Sequence, residues 1–79
     1  MPEYNEFITR IHKVLQPFVK PEIELTEDSE LVNELGLTSL QVMTLIEHIE
    51  DDLDISVPLN ILPDIRTIRD LANALIKLT

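Results

Sequence analysis

The chain has 79 residues, too few for two hydrophobic cores, and so predicts a single domain over residues 1–79. It has no cysteine, which excludes disulfide bonds and thiolate metal sites. Fifteen acidic against six basic residues give a formal charge of −9, which disfavours nucleic-acid and membrane binding and favours a protein partner with a basic surface. No apolar run reaches membrane-spanning length and the first residues do not resemble a signal peptide, so we expect a cytoplasmic protein. We also expect it to be a monomer.

The first segment, from about residue 2 to residue 16, has the pattern of an amphipathic helix. Pro2 suits a first helical turn, and Pro17 disfavours helical geometry at Gln16, where the helix should end. Apolar residues recur at intervals of three and four and predict one buried face, formed by Tyr4, Phe7, Ile8, Ile11, Val14, Leu15 and Phe18.

Residues 17–37 lack such a repeat and predict a long first loop. Pro21, the acidic run at residues 27–30 and Gly36, the one glycine of the chain, are typical of loops. A short helical turn is expected near residues 31–35. The apolar residues expected to pin this loop to the core are Ile23, Leu25, Leu31, Val32, Leu35 and Leu37.

The second helix should run from Ser39 to about Asp52. Thr38 and Gln41 have the spacing of a capping box, with Thr38 as the N-cap and Gln41 at the third helical position. This register puts Ser39 at the first helical position with its hydroxyl free. The positive end of the helix dipole there favours a bound or attached phosphate. The predicted buried stripe is Val42, Leu45, Ile46, Ile49 and Leu53.

Leu40 and Met43 lie off this stripe when the helix is projected at about 100° per residue. They share their side of the helix with Glu47 and with further acidic residues near its end. An exposed Leu or Met is common on protein surfaces and needs no function to explain it. Because this pair lies beside Ser39, we interpret it as a docking face.

The last third of the chain predicts two more helices. An extended stretch at residues 54–58 leads to a single turn, Leu59–Leu62, closed by Pro63. Thr67 and Asp70 resemble a second cap and begin a last helix, whose inward residues are Ile68, Leu71, Ala72, Leu75 and Ile76. The predicted fold is therefore all-α, a small bundle of three main helices plus a short fourth, with a long first loop.

Catalysis and metal binding have little support in the sequence. Ser39 and His48 lie roughly 13 Å apart along one helix, too far for a hydrogen bond, and no glycine-rich loop offers an oxyanion hole. The acidic residues 50–54 are not followed by the glycine and glutamate that an EF-hand loop requires. We predict no catalytic residue, no metal site, and surface positions for His12 and His48.

Three segments resemble the acyl and peptidyl carrier proteins: Asp-Ser-Glu-Leu at 28–31, Glu-Leu-Gly-Leu-Thr-Ser-Leu at 34–40, and Val-Pro-Leu at 57–59. The resemblance extends over nearly the whole chain, from the first helix to the last. It implies that a phosphopantetheinyl transferase attaches 4′-phosphopantetheine from coenzyme A to Ser39. The thiol of that arm would hold an acyl, aryl or aminoacyl group as a thioester, so the resemblance implies a non-catalytic carrier.

The chain departs from fatty-acid carriers, which usually place aspartate before the serine and more acids in the next turns, where Thr38, Gln41 and Thr44 stand here. The departures favour carriers of polyketide, nonribosomal-peptide or other specialised pathways, with fatty-acid synthesis as the alternative. Implied partners, besides the transferase, are an acyl- or aminoacyl-loading enzyme and a downstream synthase or transferase. The residues expected to dock them are Leu40, Met43, Thr44, Glu47, Ile61 and Leu62.

Two other kinds of protein stay open from the residues alone. An acidic helical adaptor without a prosthetic group would bind a partner helix through Leu40 and Met43 and keep that binding after Ser39→Ala. A small hydrolase using Ser39 would react with a serine-directed phosphonate. The start at Met1 and an end soon after the last helix suit a freestanding protein, with an excised domain of a larger synthase as the alternative.

Overall fold

The computed structural model describes residues 4–78. It contains three α-helices joined by long connections, and they are α1, Tyr4–Leu15; α2, Ser39–Leu53; and α3, Ile68–Leu78. Two 3₁₀ segments, Gln16–Phe18 and Leu59–Asp64, follow α1 and precede α3. In this part of the chain the β-structure is limited to an isolated antiparallel bridge in the connections. The predicted all-α fold with a long first loop is confirmed, and its short fourth helix is of the 3₁₀ type.

The core lies between the three helices, with α1 in contact with both α2 and α3. Each helix places a stripe of aliphatic side chains there, and burying one such side chain contributes about 1.5–3 kcal/mol. Some residues predicted in the buried stripes are half-buried at the edge of the core, and they are Tyr4, Val14, Phe18, Val42, Leu53 and Ile76. The most deeply buried large side chains are Ile11, Leu15, Leu31, Leu45, Ile49, Ile68, Leu71 and Leu75. No helix among residues 4–78 is both long and apolar enough to span a membrane.

Pro17 ends α1 close to the predicted place. The α-helical hydrogen bonding stops at Leu15, and the chain tightens into the 3₁₀ segment that contains Pro17. A proline lacks the N–H that an α-helix would use at that position, so a change of helix type is the expected result. The expectation for Pro2 lies outside the described residues.

The first loop is pinned to the core by fewer residues than predicted. Leu31, Leu35 and Leu37 are buried, while Val32 is 55% exposed, so the prediction for Val32 is wrong. The expected turn at residues 31–35 explains the difference, since the N–H groups of residues 34 and 35 both donate to the Glu30 carbonyl. In such a turn residues four apart share a face, so Leu31 and Leu35 point inward and Val32 outward. Ile23 and Leu25 are half-buried against the core.

Hydrogen bonds and an ion pair fasten the acidic part of this loop to the beginning of α3. The Leu31 N–H donates to the Arg66 carbonyl at 2.9 Å, and the Arg69 N–H donates to the Glu27 carbonyl at 2.8 Å. The Arg69 guanidinium also lies 3.0 Å from a carboxylate oxygen of Asp28. The acidic run therefore has a structural role in closing the loop onto α3.

Ser29 is the buried polar residue of this region, only 3% exposed. Its Oγ accepts a hydrogen bond from the Thr26 N–H at 2.9 Å and lies 3.2 Å from the Thr26 hydroxyl. Its carbonyl accepts from the N–H of Ile68, the first residue of α3. Ser29 thus joins its own part of the first loop to Thr26 and to the beginning of α3, a role that the sequence did not reveal.

A capping box begins α3, as the spacing of Thr67 and Asp70 predicted. The Asp70 N–H donates to Thr67 Oγ1 at 3.1 Å, and Asp70 Oδ2 accepts from the N–H groups of Thr67 and Arg66 at 3.2 and 3.1 Å. Burial raises the pKa of Asp70, but these backbone N–H groups, the Thr67 hydroxyl and the nearby Arg66 charge outweigh it. Together they hold the pKa below the ordinary value of 3.8.

This lowered pKa predicts a pH-dependent contribution of Asp70 to stability. A carboxylate whose pKa is lowered by folding stabilises the folded state above its unfolded pKa and loses that effect as pH falls through the folded pKa. Asp70→Asn should therefore lower the free energy of unfolding most near pH 7, with the difference from wild type shrinking below about pH 4. Urea denaturation at pH 7 and pH 3 measures this, and equal differences at both would contradict it.

The short fourth helix extends beyond the predicted boundary. Pro63 was expected to close the turn, but it lies inside the 3₁₀ segment Leu59–Asp64, which ends with the Ile65 N–H donating to the Leu62 carbonyl at 3.1 Å. Proline has a φ near −65°, which a 3₁₀ helix accepts, so only one hydrogen bond is lost. Val57, in the extended stretch before it, is buried, and its N–H donates to Glu50 Oε2 at 2.7 Å.

Candidate functional site

The capping box predicted at the beginning of α2 is present. Thr38 has extended backbone angles, φ −79° and ψ 165°, and its Oγ1 accepts from the Gln41 N–H at 3.1 Å. In return, Gln41 Oε1 accepts from the Thr38 N–H at 2.9 Å. These reciprocal bonds satisfy two backbone donors that a helix beginning would otherwise leave unpaired, and they fix where α2 begins.

Ser39 is therefore the first residue of α2, and it is exposed. Its hydroxyl takes no part in the capping box, which Thr38 and Gln41 complete by themselves. The first helical turn contains no acidic residue, so nothing in that turn offsets the positive end of the helix dipole. This combination of a free hydroxyl and a local field that tolerates an anion suits the attachment of a phosphate-linked group.

Gly36 positions the segment that leads into this cap. Its φ is +73°, in the left-handed region, and it follows directly on the turn at residues 31–35, whose first and last residues are buried. A Cβ added at Gly36 would meet no heavy atom within 4 Å, so the position needs glycine for its backbone angles and not for space. The reversal of the chain at Gly36 lets Leu37 enter the core just before the cap.

A substitution at Gly36 should show this conformational cost. An L-residue with a side chain in the left-handed region costs about 1–2 kcal/mol, so Gly36→Ala should lower the free energy of unfolding by about that amount. Gly36→Asn should cost less, because asparagine adopts this conformation more readily. Urea denaturation of both variants measures the difference, and an equal loss for the two would argue against a backbone origin.

A depression of about 260 Å³ lies beside Ser39. Its walls come from three parts of the chain: the first loop, α2 and the region around the second 3₁₀ segment. All of its lining residues except Ser39 are apolar, and they are Val32, Val42, Met43, Leu62, Pro63 and Ile65. We call it the serine depression. It gives the free hydroxyl an apolar surface along which an attached flexible group can lie.

The residues expected to dock partners are only partly gathered around this depression. Leu40 and Met43 are 71% and 39% exposed, as the helix register predicted, and Glu47 is exposed farther along α2. Thr44 is half-buried, and its hydroxyl donates a hydrogen bond to the Leu40 carbonyl at 3.0 Å. The hydroxyl hydrogen is therefore already used within α2. Met43 lines the serine depression, whereas Leu40 does not.

Ile61 and Leu62, the docking residues expected outside α2, are both half-buried. Leu62 lines the serine depression, but Ile61 lines a separate depression between the 3₁₀ segment and α3. Val32 and Ile65 were not expected at the site, yet both line the serine depression. No repeat in the sequence points to them, because their place depends on how the first loop packs against the region before α3.

The two histidines lie away from Ser39. His48 is exposed, nine residues farther along α2, and its ring centroid lies 6.3 Å from that of Phe18. His12 is half-buried, and its Nε2 is buried without a hydrogen-bond partner, so the predicted surface position of His12 is wrong. His12 lines a depression together with residues of the first loop between positions 19 and 25. Within residues 4–78, no group of three His, Cys, Asp or Glu residues is placed to hold a metal ion.

Comparisons with known proteins agree with this geometry. Residues 8–75 match the family model described as the phosphopantetheine attachment site. A solved structure from Mycobacterium tuberculosis, assigned as an acyl carrier protein, is similar over 90% of this chain and 96% of its own, with a TM-score of 0.81 and 25% identity. MacpD, an acyl carrier protein of Pseudomonas fluorescens involved in mupirocin biosynthesis, is similar over 90% of this chain and 65% of its own, with a TM-score of 0.64 and 29% identity.

A comparison with curated protein sequences gives no match. The family model, however, extends over most of the chain, from α1 to α3. The residues present also fit the group that the family carries, since an exposed serine hydroxyl stands at a helix N-terminus beside an apolar depression. The chain therefore belongs to the phosphopantetheine-attachment family and is a carrier protein of the acyl carrier type, with covalently bound 4′-phosphopantetheine as its prosthetic group.

Proposed function

We propose that Ser39 is the attachment residue for 4′-phosphopantetheine. The observation that carries the proposal is the exposed hydroxyl at the first position of α2, left free because Thr38 and Gln41 complete the cap. Attachment joins the Ser39 oxygen to phosphorus as a phosphodiester, with loss of the hydroxyl proton and of the nucleotide half of coenzyme A. The resulting anion lies where the helix dipole stabilises negative charge, by about 0.3–1 kcal/mol at an exposed site.

The protein's own contribution is to hold and present the attached arm. When bound, the prosthetic group supplies a thiol that carries an acyl, aryl or aminoacyl group as a thioester. The rigid cap fixes the position of the Ser39 oxygen, and the serine depression offers the arm an apolar surface formed in part by Met43 and Leu62. Tethering a reactant to a protein raises its effective concentration near a docked enzyme, so a carrier accelerates a pathway without catalytic residues.

The surface around Ser39 favours a specialised biosynthetic pathway over fatty-acid synthesis. The first turn of α2 has no acidic residue, and Leu40 and Met43 are exposed there, while acidic residues such as Glu47 come later in the helix. Partners would then recognise apolar shape close to the serine and charge farther away. The similarity to MacpD, which is involved in mupirocin biosynthesis, supports the same assignment. Fatty-acid synthesis is the alternative pathway.

Three kinds of partner follow from the carrier assignment. They are a phosphopantetheinyl transferase, an acyl- or aminoacyl-loading enzyme, and a downstream synthase or transferase. Each must reach Ser39 or the thiol of the arm, so each would contact the exposed part of α2 around Leu40 and Met43. A net charge of −9 favours partners with a basic rim around an apolar contact.

Incubation with coenzyme A and a broad-specificity phosphopantetheinyl transferase tests the proposal. Intact-protein mass spectrometry should show the gain of one phosphopantetheine, and fragmentation should place it on Ser39. An unchanged mass, or a group placed on another residue, would refute the assignment. Mass spectrometry of protein isolated from its native host would then identify the carried group and with it the pathway.

A further inference from the structure

A second, polar depression borders the serine depression. It has a volume of about 190 Å³ and is lined by Glu30, Val32, Asn33, Ile65 and Arg66, and we call it the arginine depression. Val32 and Ile65 line both depressions and form the wall between them. The polar side chains of the arginine depression therefore lie across two aliphatic side chains from the serine depression.

Arg66 has a fixed backbone, and its guanidinium forms no close ion pair with any described residue, although its charge acts on the Asp70 carboxylate. Its carbonyl accepts from the Leu31 N–H at 2.9 Å, and its N–H donates to Asp70 at 3.1 Å. The guanidinium groups of the other two arginines form ion pairs, Arg10 with Asp52 at 2.8 Å and Arg69 with Asp28 at 3.0 Å. Among residues 4–78, no carboxylate oxygen lies within ion-pair distance of the Arg66 guanidinium.

Glu30, the acid in the arginine depression, is already engaged elsewhere. Its Oε2 accepts from the Asn33 side-chain amide at 2.8 Å, and no ion pair joins it to Arg66. A guanidinium group has five N–H donors and no acceptor, so Arg66 presents donors to whatever enters the depression. The adjacent carboxylate of Glu30 disfavours an anionic occupant and leaves a neutral group with carbonyl oxygens as the better fit.

We propose that the phosphopantetheine arm lies across both depressions and that Arg66 is a positioning residue for it. The proposal rests on attachment at Ser39. The order of groups along the arm matches the order of the surface: a dimethyl-substituted carbon follows the phosphate, and two amides follow that carbon. The dimethyl carbon meets the apolar walls at Met43 and Leu62, and an amide carbonyl accepts a hydrogen bond from Arg66.

Amide chemical shifts of the unmodified and phosphopantetheine-bearing protein test this proposal. Modification should shift the resonances of Val32, Asn33, Ile65 and Arg66 in addition to those next to Ser39. Arg66→Gln should reduce the ratio of bound to free arm about two- to tenfold, the worth of one hydrogen bond, and so diminish the shifts at Val32, Asn33 and Ile65. Lys13→Gln removes the same charge from the exposed side of α1, where the residue lines neither depression, and should change nothing.

The other outcomes separate the two proposals. If the protein gains no phosphopantetheine mass, attachment and arm positioning both fail. If the mass is gained but the shifts stay confined to residues 38–42, or persist in full in Arg66→Gln, positioning alone fails. A loss of shifts in Lys13→Gln would also overturn it, since the effect would then come from net charge.

Discussion

Ser39→Ala is expected to abolish the mass gain with coenzyme A and transferase completely while leaving the melting temperature unchanged. The attachment requires the Ser39 oxygen, and alanine has none. Stability should be preserved because the side chain is exposed and the capping box belongs to Thr38 and Gln41. Alanine also has the highest intrinsic helix propensity, so the first turn of α2 is not weakened. Intact-mass spectrometry and thermal denaturation measure the two results on one sample.

The other two serines of the chain provide matched controls. Ser29→Ala removes the buried hydroxyl that accepts from the Thr26 N–H and should cost about 1–3 kcal/mol of unfolding free energy while the protein still gains the mass. Ser56→Ala changes an exposed side chain and should affect neither measurement. If Ser39→Ala still gained the mass, the attachment residue would be another hydroxyl and the proposed function of Ser39 would be wrong.

Leu45→Ala and Leu40→Ala are expected to have opposite effects, although both change a leucine of α2 to alanine. Leu45 is fully buried between the helices, and the cavity left by Leu45→Ala should lower the free energy of unfolding by about 2–5 kcal/mol. For a domain of this size, such a loss lowers the melting temperature by at least about 8 °C. Leu40 is 71% exposed, so Leu40→Ala should change stability by less than about 0.5 kcal/mol. Equal losses for the two variants would show that the helix register is wrong.

Leu40→Ala should instead impair the use of the protein by its partners. An apolar side chain at the centre of an interface contributes about 1 kcal/mol or more, so kcat/KM of the phosphopantetheinyl transferase should fall about fivefold or more. Leu59→Ala is the matched control, since Leu59 is 68% exposed but lies on the 3₁₀ segment, outside the expected docking residues. An equal fall for both variants would mean that the docking face is not confined to α2 and its surroundings.

Features that depend on neighbours in the sequence were predicted well. The caps at Thr38 and Thr67 each join residues three apart, and both capping boxes form with hydrogen bonds of 2.9–3.2 Å. Proline at position 17 ended α1 for an equally local reason, its missing N–H. The exposure of Leu40 followed from the helical repeat once the cap had fixed the register. Such features depend on a few adjacent residues, so one sequence is enough to find them.

Features that join distant parts of the chain were missed or mistaken. The burial of Ser29 was not expected, because Ser29 lies in the acidic run of the first loop. Its place is fixed by contacts between that loop and the beginning of α3, such as the hydrogen bond from the Ile68 N–H to the Ser29 carbonyl at 3.2 Å. His12, whose Nε2 is buried, likewise borders a depression with residues of the first loop. No periodic pattern contains these pairings.

The all-α class, the approximate ends of the helices and Ser39 as the candidate attachment residue all follow from the sequence alone. These conclusions need only helical periodicity, cap spacing and a short motif, all of which act over a few residues. Tertiary contacts, in contrast, bring Val32 and Ile65 together beside Ser39 and place Arg66 beyond them, where its guanidinium forms no close ion pair within residues 4–78. The physical reason is that the surface beside the serine is assembled from the first loop, α2 and the segment before α3, which only packing brings together.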